Sequence, residues 1–570
     1  MSTFSIESKG LRLDFDARDP LQISRVVHVF SGREIAVRTK QRFMVRTASR
    51  VSDPYFLTRL ESVDIDRNAM SLVLTDPDAT FRMRCRISAS ASGVQWQASL
   101  DTQGPIWMLE WRIEDLDLRS IVVPALGGQV LGAKMPGGTS VDYKYPFWWQ
   151  SQFVVGELDD QDGLCLRTME VDPRLKVLRV QRTDAEEKRF TLGLGLEAEA
   201  PLDGKPMSAS WYLSGYSDSW REPAGIHRDW IREAFGTGPY AEHPHYPTWA
   251  QDINFILEIW GMSKEAPEPR HTFRDMIERI LDFAELHDPS QTLLYLPGFA
   301  EEGIDSNAPD YNPAPKCGGR EAFKELIDAA HEMGYRVMIH TNVLALAYSN
   351  PLYERFRKYQ VIDCFGRPQG WGNDIDGDWL QEPFFAYMNP GHEEWTDHMK
   401  RVFEDLIDSF GIDGIFLDQT LLAFNVESGP NFVRGMREHI QRLQKTFPQV
   451  LFAGEGFHEQ VLCALPMAQI HGIDSIAGIH GLEGAREWRQ VHPVSSYVFS
   501  PFTRLMAHLL TKHPTSSVFE RQEEAYSDLG VIPALVLYNK SHKIDVPQLR
   551  GMLERARPLN DTMERIVPAT

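Results

Sequence analysis

Two patterns of apolar and polar positions divide the chain. Up to about residue 220, short runs of alternating or continuous apolar positions recur, for example at 11–15, 70–74, 81–87 and 93–100. From residue 249 onward, apolar runs of strand length alternate with segments whose apolar positions repeat at helical spacing. The first pattern predicts a β-sandwich, and the second predicts parallel strands that are connected by helices.

The predicted fold class is therefore α/β, a (β/α)₈ TIM barrel preceded by an N-terminal all-β sandwich domain. The expected barrel strands lie at 253–260, 292–297, 336–342, 414–418, 450–454, weakly near 470–473, at 496–500 and at 532–538. Eight strands that alternate with helices favour a closed barrel over an open sheet. The third-to-fourth connection is far longer than its neighbours, and its irregular part at 360–390 is predicted to be a functional loop over the barrel mouth.

The boundary between the two halves is predicted from a helix and a linker. Trp220, Ile226 and Trp230 have roughly helical spacing, and a segment rich in Pro and His follows at 238–247. We predict a sandwich domain over 1–219, a linker helix and proline-rich connection over 220–247, and a catalytic barrel over 248–570.

Asp418 and Glu455 each end a short apolar run in consecutive predicted βα units. Strands of a parallel barrel are buried on both faces, so ionised side chains are tolerated only at the open C-terminal ends. The two-residue period places Phe416 on the side of Asp418 and Ala453 on the side of Glu455. Because neighbouring strands lie about 4.8 Å apart, we expect a carboxyl–carboxyl gap of roughly 5 to 6 Å, the retaining arrangement of glycoside hydrolases. The structural alternative is that Asp418 caps the next helix and Glu455 pairs with an arginine.

Three motifs resemble a known group of enzymes. The segments 411–419 and 452–456, together with 145–153 followed by 163–166, resemble the corresponding segments of endo-α-N-acetylgalactosaminidase-like glycoside hydrolases, and more distantly those of the α-amylase clan. The first group also carries a β-sandwich in front of its barrel. This resemblance implies a retaining double displacement on an α-linked glycosidic bond, with Asp418 as nucleophile and Glu455 as acid/base.

Two departures from these families limit the activity and the substrate that we expect. The α-amylase clan places an arginine two residues before its nucleophile, where this chain has Phe416, so amylase-type activity is disfavoured. The chain also ends soon after the predicted eighth strand, which favours a small soluble substrate. A transglycosylase or sugar isomerase that uses the same site, and a non-catalytic carbohydrate-binding barrel protein, stay open as alternatives.

Other polar side chains near predicted strand ends are candidates for holding a sugar. They are Glu258, Trp260, Asp305, Asp310, Tyr311, His340, Asn342, His471, Asp474, Arg504 and His508. A buried carboxylate without a purpose would be costly, and polar residues in register on one strand indicate a common site. The alternative for a histidine such as His340 is a core residue whose hydrogen bonds are satisfied. The alternative for Asp305, Asp310 and Tyr311 is a solvated loop.

Charge and composition limit the partners. A net charge of −21 argues against nucleic acid, and no apolar run approaches the length of a membrane span. The N-terminus shows no secretory signal and the five cysteines are scattered, so a cytoplasmic location is expected. Asp374, Asp376 and Asp378 resemble a calcium loop but lack its Gly and Glu positions. We therefore expect a glycoside substrate and no metal or cofactor, and homo-oligomerisation stays open.

Overall fold

The alternating patterns of the sequence form strands throughout the first part of the chain and strand–helix units in the second. A computed structural model describes residues 3–102, 104–183, 189–264, 266–373, 382–473, 487–508, 523–527, 529–544 and 547–556. Its strands are β1 Thr3–Ser8, β2 Leu11–Asp16, β3 Gln22–His28, β4 Glu34–Thr47, β5 Tyr55–Phe56, β6 Arg59–Ile65, β7 Ala69–Thr75, β8 Phe81–Ser90, β9 Gly93–Thr102, β10 Ile106–Leu116, β11 Ser120–Val123, β12 Gln129–Leu131, β13 Ser140–Tyr145, β14 Phe153–Glu157, β15 Asp162–Arg167, β16 Lys176–Arg182, β17 Phe190–Glu197, β18 Met207–Ser217, β19 Phe255–Ile259, β20 Thr292–Leu296, β21 Arg336–Asn342, β22 Ala345–Ala347, β23 Gly370–Asn373, β24 Glu382–Tyr387, β25 Gly414–Asp418, β26 Leu451–Gly454, β27 Met467–Gln469, β28 Arg489–Val491, β29 Arg504–Met506 and β30 Ala534–Leu537. Its α-helices are α1 Arg221–Phe235, α2 Phe273–Ala284, α3 Gly319–Met333, α4 Tyr353–Phe356, α5 Glu393–Phe410, α6 Phe432–Thr446, α7 Val494–Phe499 and α8 Pro547–Ala556.

Two antiparallel sheets build the N-terminal all-β region. One has the strand order β1-β2-β3-β4-β10-β17-β16-β13, with β5 on β4, and the other has the order β28-β12-β11-β14-β15-β18-β9-β8-β7-β6. Their apolar faces form one buried core that contains Trp96, Trp111 and Trp211. Gln41 lies in this core and accepts hydrogen bonds from the indoles of Trp96 and Trp111, at 2.9 and 3.3 Å. These three buried side chains thus pair their polar groups with one another.

The chain forms two units, one of residues 1–234 with 483–498 and one of residues 235–482 with 499–570. The sequence pattern did not indicate the return of 483–498 to the first unit, where β28 pairs antiparallel with β12. The predicted domain bounds at 219 and 247 stay a prediction.

Eight parallel strands form a nearly closed barrel in the second unit. Their order is β29-β27-β26-β25-β21-β20-β19-β30. A single parallel bridge connects the two ends of this order. It joins Met506, the last residue of β29, to Ile532, two residues before β30. Two of the helices end at glycines: Gly334 and Gly411 follow α3 and α5 with φ of 104° and 76°, a conformation that glycine adopts without strain.

Two of the predicted barrel strands are displaced. The strand expected near 470–473 is β27, three residues earlier, and the strand expected at 496–500 is wrong because that segment lies in α7. Val494 and Val498 lie one helical turn apart and are both fully buried, so tertiary packing overrides their strand propensity. The true seventh strand, β29, has three residues and begins with Arg504, which left almost no apolar signal.

The long third-to-fourth connection is more regular than predicted. It contains a three-stranded antiparallel sheet of order β22-β24-β23, so the expectation of an irregular segment at 360–390 is wrong in part. The acidic triplet Asp374, Asp376 and Asp378 lies outside the described residues. None of the helices in the described part of the chain has the length and apolar character needed to cross a membrane.

Candidate active site

Asp418 and Glu455 lie side by side at the C-terminal ends of adjacent barrel strands. Asp418 ends β25, and Glu455 follows β26 directly. The register pairs Phe416 with Ala453 and Leu417 with Gly454, and the Glu455 amide donates to the Leu417 carbonyl at 2.9 Å. The two side chains therefore leave their strands at the same level, as the two-residue period predicts.

Three carboxyl groups meet at this position. The Asp418 carboxyl lies within 4.8 Å of Asp305, and the charges of both Glu455 and Asp305 act on it and raise its pKa. The side chain of Glu455 is 16% exposed, so the group is shielded from water without being sealed from it. Carboxyl groups in such contact cannot all be ionised, because the repulsion between like charges grows as water is removed.

Gln419 orients Glu455 through a strained backbone conformation. Its φ is +64°, a value that side-chain-bearing residues rarely adopt and that is often found at functional sites. In this conformation its amide donates to Glu455 Oε2 at 2.9 Å. Its side-chain amide donates to the Tyr387 hydroxyl at 3.1 Å, which connects the site to the last residue of β24.

Asn342 connects Asp418 to Asp305 from the end of β21. Its Nδ2 donates to Asp418 Oδ2 at 3.0 Å and to Asp305 Oδ2 at 3.1 Å. Its Oδ1 accepts from the amides of Leu344 and Ala345, both at 2.9 Å, so the orientation of the side-chain amide is fixed. The neutral side-chain amide of Asn342 therefore donates to both carboxyl groups, those of Asp418 and Asp305.

Tyr311 contacts the same group of side chains. Its hydroxyl accepts a hydrogen bond from the backbone N–H of Asn342 at 2.7 Å. The same hydroxyl donates to Asp305 Oδ1 at 3.4 Å. Tyr311, Asp305 and Asn342, which the sequence proposed from two different strand ends, are thus brought together.

Two histidines lie beside Glu455. His471 Nε2 is 3.2 Å from Glu455 Oε1, and the rings of His471 and His508 are 4.6 Å apart between centroids. Both residues were candidates from sequence, and the structure places both at the acid that follows β26. Asp474 lies outside the described residues.

The surroundings separate the proton affinities of the two central carboxyl groups. Burial, together with the charges of Glu455 and Asp305, raises the pKa of Asp418 well above its ordinary value. Burial also opposes ionisation of Glu455, but His471, His508 and the Gln419 amide outweigh it and lower the pKa of Glu455 to about 2. The ligand-free site thus favours a protonated Asp418 and an ionised Glu455, the reverse of the distribution that the predicted roles require in the first chemical step.

His340 lies on the inner side of β21 next to Asp305. Its Nδ1 is hydrogen-bonded to the Tyr295 hydroxyl at 2.6 Å, and its Nε2 is 3.6 Å from Asp305 Oδ2. Its ring stacks on Phe416 with a centroid distance of 5.4 Å. Phe416 stands where the α-amylase clan has an arginine, and its ring supports the imidazole of His340.

The remaining sequence candidates are more peripheral. Trp260 Nε1 donates to Glu258 Oε1 at 2.6 Å, and the charge of Glu258 contributes to the raised pKa of the buried Tyr295. Asp310 accepts instead from Asn350 Nδ2 at 2.9 Å, and Arg504 begins its strand and donates to the Tyr240 hydroxyl at 3.1 Å. The structure therefore does not group Asp310 and Arg504 with the two central carboxylates.

Sequence reasoning missed Tyr295, Tyr387 and Gln419. Tyr295 had a signal, because it lies in the middle of a predicted strand where a polar hydroxyl would need a partner. Tyr387 had none, since it reaches the site from a long insertion. The positive φ of Gln419 could not be predicted, because the sequence does not indicate this conformation at a residue other than glycine.

Within the part of the chain that the structure describes, two groups of side chains have donor atoms close enough to hold a metal ion. They are Glu455 with His471 and His508, and Asp305 with His340 and Asp418, and the donor atoms of each lie within 4.8 Å of one another. The 3.2 Å contact between His471 and Glu455 is the geometry of an ion pair, and a metal would have to replace it. The absence of a metal stays a prediction.

Solved structures with a similar fold are glycosidases. The chain is similar to the α-N-acetylgalactosaminidase NagBb from Bifidobacterium bifidum, in its complex with Gal-NHAc-DNJ, with 13% identity and a TM-score of 0.75 over 99% of this chain and 93% of that one. It is also similar to the GH36 α-galactosidase AgaA from Geobacillus stearothermophilus, with 10% identity and a TM-score of 0.52 over 100% and 87%. At these identities the likeness establishes the fold: an all-β region followed by a parallel eight-strand barrel.

A family model described as "Domain of unknown function (DUF6259)" matches residues 207–503. This match covers more than half of the chain, so the chain belongs to the DUF6259 family. No curated protein sequence matches it.

Proposed function

We propose that this protein is a retaining glycosidase that cleaves an α-linked glycosidic bond. The position of Asp418 and Glu455 side by side at the C-terminal ends of the adjacent barrel strands β25 and β26 is the observation that carries the proposal. An inverting enzyme needs roughly 6.5 to 9.5 Å between its carboxyl groups to hold a water, whereas a retaining enzyme needs only about 5 to 5.5 Å. Two carboxylates at the same level of adjacent strands, which lie about 4.8 Å apart, support the retaining arrangement.

In this mechanism Asp418 attacks the anomeric carbon while Glu455 protonates the departing oxygen, which forms a covalent glycosyl-enzyme. The leaving group takes the proton and the bonding pair of the broken C–O bond. Glu455, now ionised, then removes a proton from water, and the resulting hydroxide displaces Asp418. The contacts from His471 and the Gln419 amide stabilise Glu455 in this ionised form.

Because the two pKa shifts favour a proton on Asp418 and an ionised Glu455, binding of the substrate has to reverse these two states. The proton that the raised pKa of Asp418 favours on this group has to move to the neighbouring Glu455. A sugar whose anomeric carbon, with its developing positive charge, lies against Asp418 favours the ionised form of that group. The proton transfer then produces the nucleophile and the acid in one step.

The substrate class is proposed from the structural neighbours. NagBb is an α-N-acetylgalactosaminidase and AgaA an α-galactosidase. Aryl α-N-acetylgalactosaminide and aryl α-galactoside are therefore the first substrates to test, with the aryl α-glucoside and the corresponding β-anomers as comparisons. Cytoplasmic location stays a prediction.

Azide rescue distinguishes the two carboxylates. In Asp418→Ala, azide takes the place of the nucleophile and should yield the β-glycosyl azide. In Glu455→Ala, azide attacks the glycosyl-enzyme and should yield the α-glycosyl azide. Asp405→Ala, which removes an exposed carboxylate on α5, is the matched control and should retain wild-type turnover.

Labelling with a 5-fluoroglycosyl fluoride followed by peptide mapping should place the sugar on Asp418. A label on Glu455 would reverse the two roles, the arrangement that the ligand-free proton preferences favour. Unchanged turnover in both alanine variants would remove this site from the reaction and support a non-catalytic carbohydrate-binding protein. Products formed with an added acceptor sugar would separate transglycosylation from hydrolysis.

A further inference from the structure

A gap between two buried polar atoms lies beside the proposed nucleophile. His340 Nε2 and Asp305 Oδ2 are 3.6 Å apart, which is too long for a hydrogen bond. Both residues are buried, with exposures of 5% and 6%. Within the described residues, His340 Nε2 has no hydrogen-bond partner, which is unusual for a buried polar atom and calls for an explanation.

Tyr295 determines which nitrogen of His340 carries the proton. Burial and the neighbouring carboxylates raise the pKa of Tyr295 well above its ordinary value, so the phenol keeps its proton. In the described part of the chain, His340 Nδ1 is the partner that the structure gives this hydroxyl, at 2.6 Å. When the phenol donates to Nδ1, the proton of the neutral imidazole lies on Nε2, and this N–H faces the gap.

The imidazole is held rigidly in this orientation. Its ring stacks on Phe416 with an interplanar angle of 28°, and Tyr295 packs against Phe416 with a centroid distance of 5.0 Å. These three rings come from the neighbouring strands β20, β21 and β25. Side chains on strands of a closed barrel move little, so the gap is preorganised for a ligand.

Asp305 provides an acceptor on the other side of the gap. Its backbone has a φ of +57°, and Asn342 Nδ2 fixes its carboxylate. A carboxylate has about four acceptor positions, so the contacts with Asn342, Tyr311 and Asp418 leave capacity for one more donor. The donor atoms of Asp305 and His340 lie within 4.8 Å of Asp418, where the proposed reaction takes place.

We propose that His340 and Asp305 together bind one hydroxyl of the glycone, with the His340 N–H donating to the hydroxyl oxygen and Asp305 accepting the hydroxyl proton. This inference rests on the proposed glycosidase function and specifies its substrate: the glycone carries a free hydroxyl at this position. A hydroxyl oxygen about 2.8 Å from both atoms would lie to one side of the line that joins them, because atoms 3.6 Å apart leave no room for an oxygen between them. Tyr295 is a positioning residue, since it acts through the tautomer of His340.

Calorimetry of sugar binding tests the proposal independently of turnover. The probes are galactose, N-acetylgalactosamine and glucose with their monodeoxy derivatives. In the wild type, removal of one particular hydroxyl should raise Kd on the order of 10- to 100-fold, as expected for paired hydrogen bonds with a charged partner. In His340→Phe this penalty should fall about 10-fold while the penalties at other positions stay unchanged.

Three further variants separate positioning from simple structural damage. Tyr295→Phe should reduce the same penalty several-fold, because the tautomer is no longer fixed. His340→Gln, which keeps an N–H donor, should retain part of it. Tyr335→Phe is the matched control, since it removes a buried hydroxyl that donates to the Ile280 carbonyl and should leave every penalty unchanged.

The outcomes distinguish this inference from the proposed function. Equal deoxy penalties in the wild type and in His340→Phe, or no binding of any sugar, would overturn it. Binding that shows the expected penalties but no turnover would support it and reject the glycosidase. If EDTA abolished sugar binding and a divalent cation restored it, the gap would belong to a metal ion and the proposal would be wrong.

Discussion

Isosteric amides at the two central carboxylates should change stability in opposite directions. Asp418→Asn is expected to raise the free energy of unfolding at pH 7, and Glu455→Gln is expected to lower it, although both should abolish turnover. The reason is that Asp418 is buried among negative charges, whereas Glu455 has two histidines and a backbone amide beside it. Each substitution removes a titratable group, and the shifts in the pKa of these two groups change stability in opposite directions.

The magnitude for Glu455 follows from its lowered pKa. The difference between the ordinary value of 4.5 and about 2 corresponds to at most about 3 to 4 kcal/mol of stability. This contribution is fully present above pH 4.5 and is lost as the pH falls from 4.5 towards 2. Removal of the Glu455 charge also relieves the repulsion on Asp418, so the measured loss in Glu455→Gln should be smaller than this limit.

The sign for Asp418 is the opposite. Because its pKa in the folded protein is raised above 3.8, its favourable contribution is complete below that pH and is lost as the pH rises. An asparagine cannot ionise and avoids this loss. The stabilisation by Asp418→Asn should therefore be seen at pH 7 and disappear near pH 3.

Urea unfolding followed by tryptophan fluorescence, repeated from pH 3 to pH 7, measures both effects. Glu404→Gln is the matched control, because Glu404 is an exposed carboxylate on α5 and its substitution should change stability by less than about 0.5 kcal/mol. If Asp418→Asn and Glu455→Gln shifted stability in the same direction at pH 7, the proton distribution inferred for the site would be refuted.

Three further substitutions test how the site is held. Gly454→Ala should lower stability by about 1 to 3 kcal/mol and reduce kcat, because its Cβ would lie 2.6 Å from Thr420 Oγ1 next to Glu455; thermal unfolding together with steady-state kinetics measures both. Tyr387→Phe should reduce kcat by roughly 10-fold without a change in the melting temperature beyond a few degrees, since it removes only the hydrogen bond to Gln419; an unchanged kcat would contradict a role for β24. Gln419→Gly relieves the positive φ but removes the hydrogen bond to Tyr387 and loosens the backbone amide at Glu455, so kcat should fall; an unchanged kcat in steady-state kinetics would contradict this.

Much of the barrel was readable from residue patterns. β20, β21 and β25 lie within one residue of the predicted bounds. These elements are long or strongly periodic, and their ends are marked by glycine or proline. Asp418 and Glu455 stood out for a related reason, because ionised residues at the ends of apolar strands are costly unless they are used.

Elements with weak local signals were not readable. β29 has three residues, and its neighbour α7 has a sequence with strand propensity. The displacement of these two elements explains why Arg504, expected after a strand, instead begins one. His508 still lies beside the ring of His471, because it does follow the true strand.

The sequence by itself determined the succession of strands and helices and the two acidic strand ends, because hydrophobic periodicity and the cost of burying charge are local properties. Only the tertiary structure decided which distant side chains surround those acids. The contacts of Asn342 with Asp305, of Gln419 with Tyr387 and of His471 with Glu455 join segments that lie far apart along the chain. These contacts set where the proton resides in the ligand-free site, since a pKa depends on the charges and the burial that folding brings together.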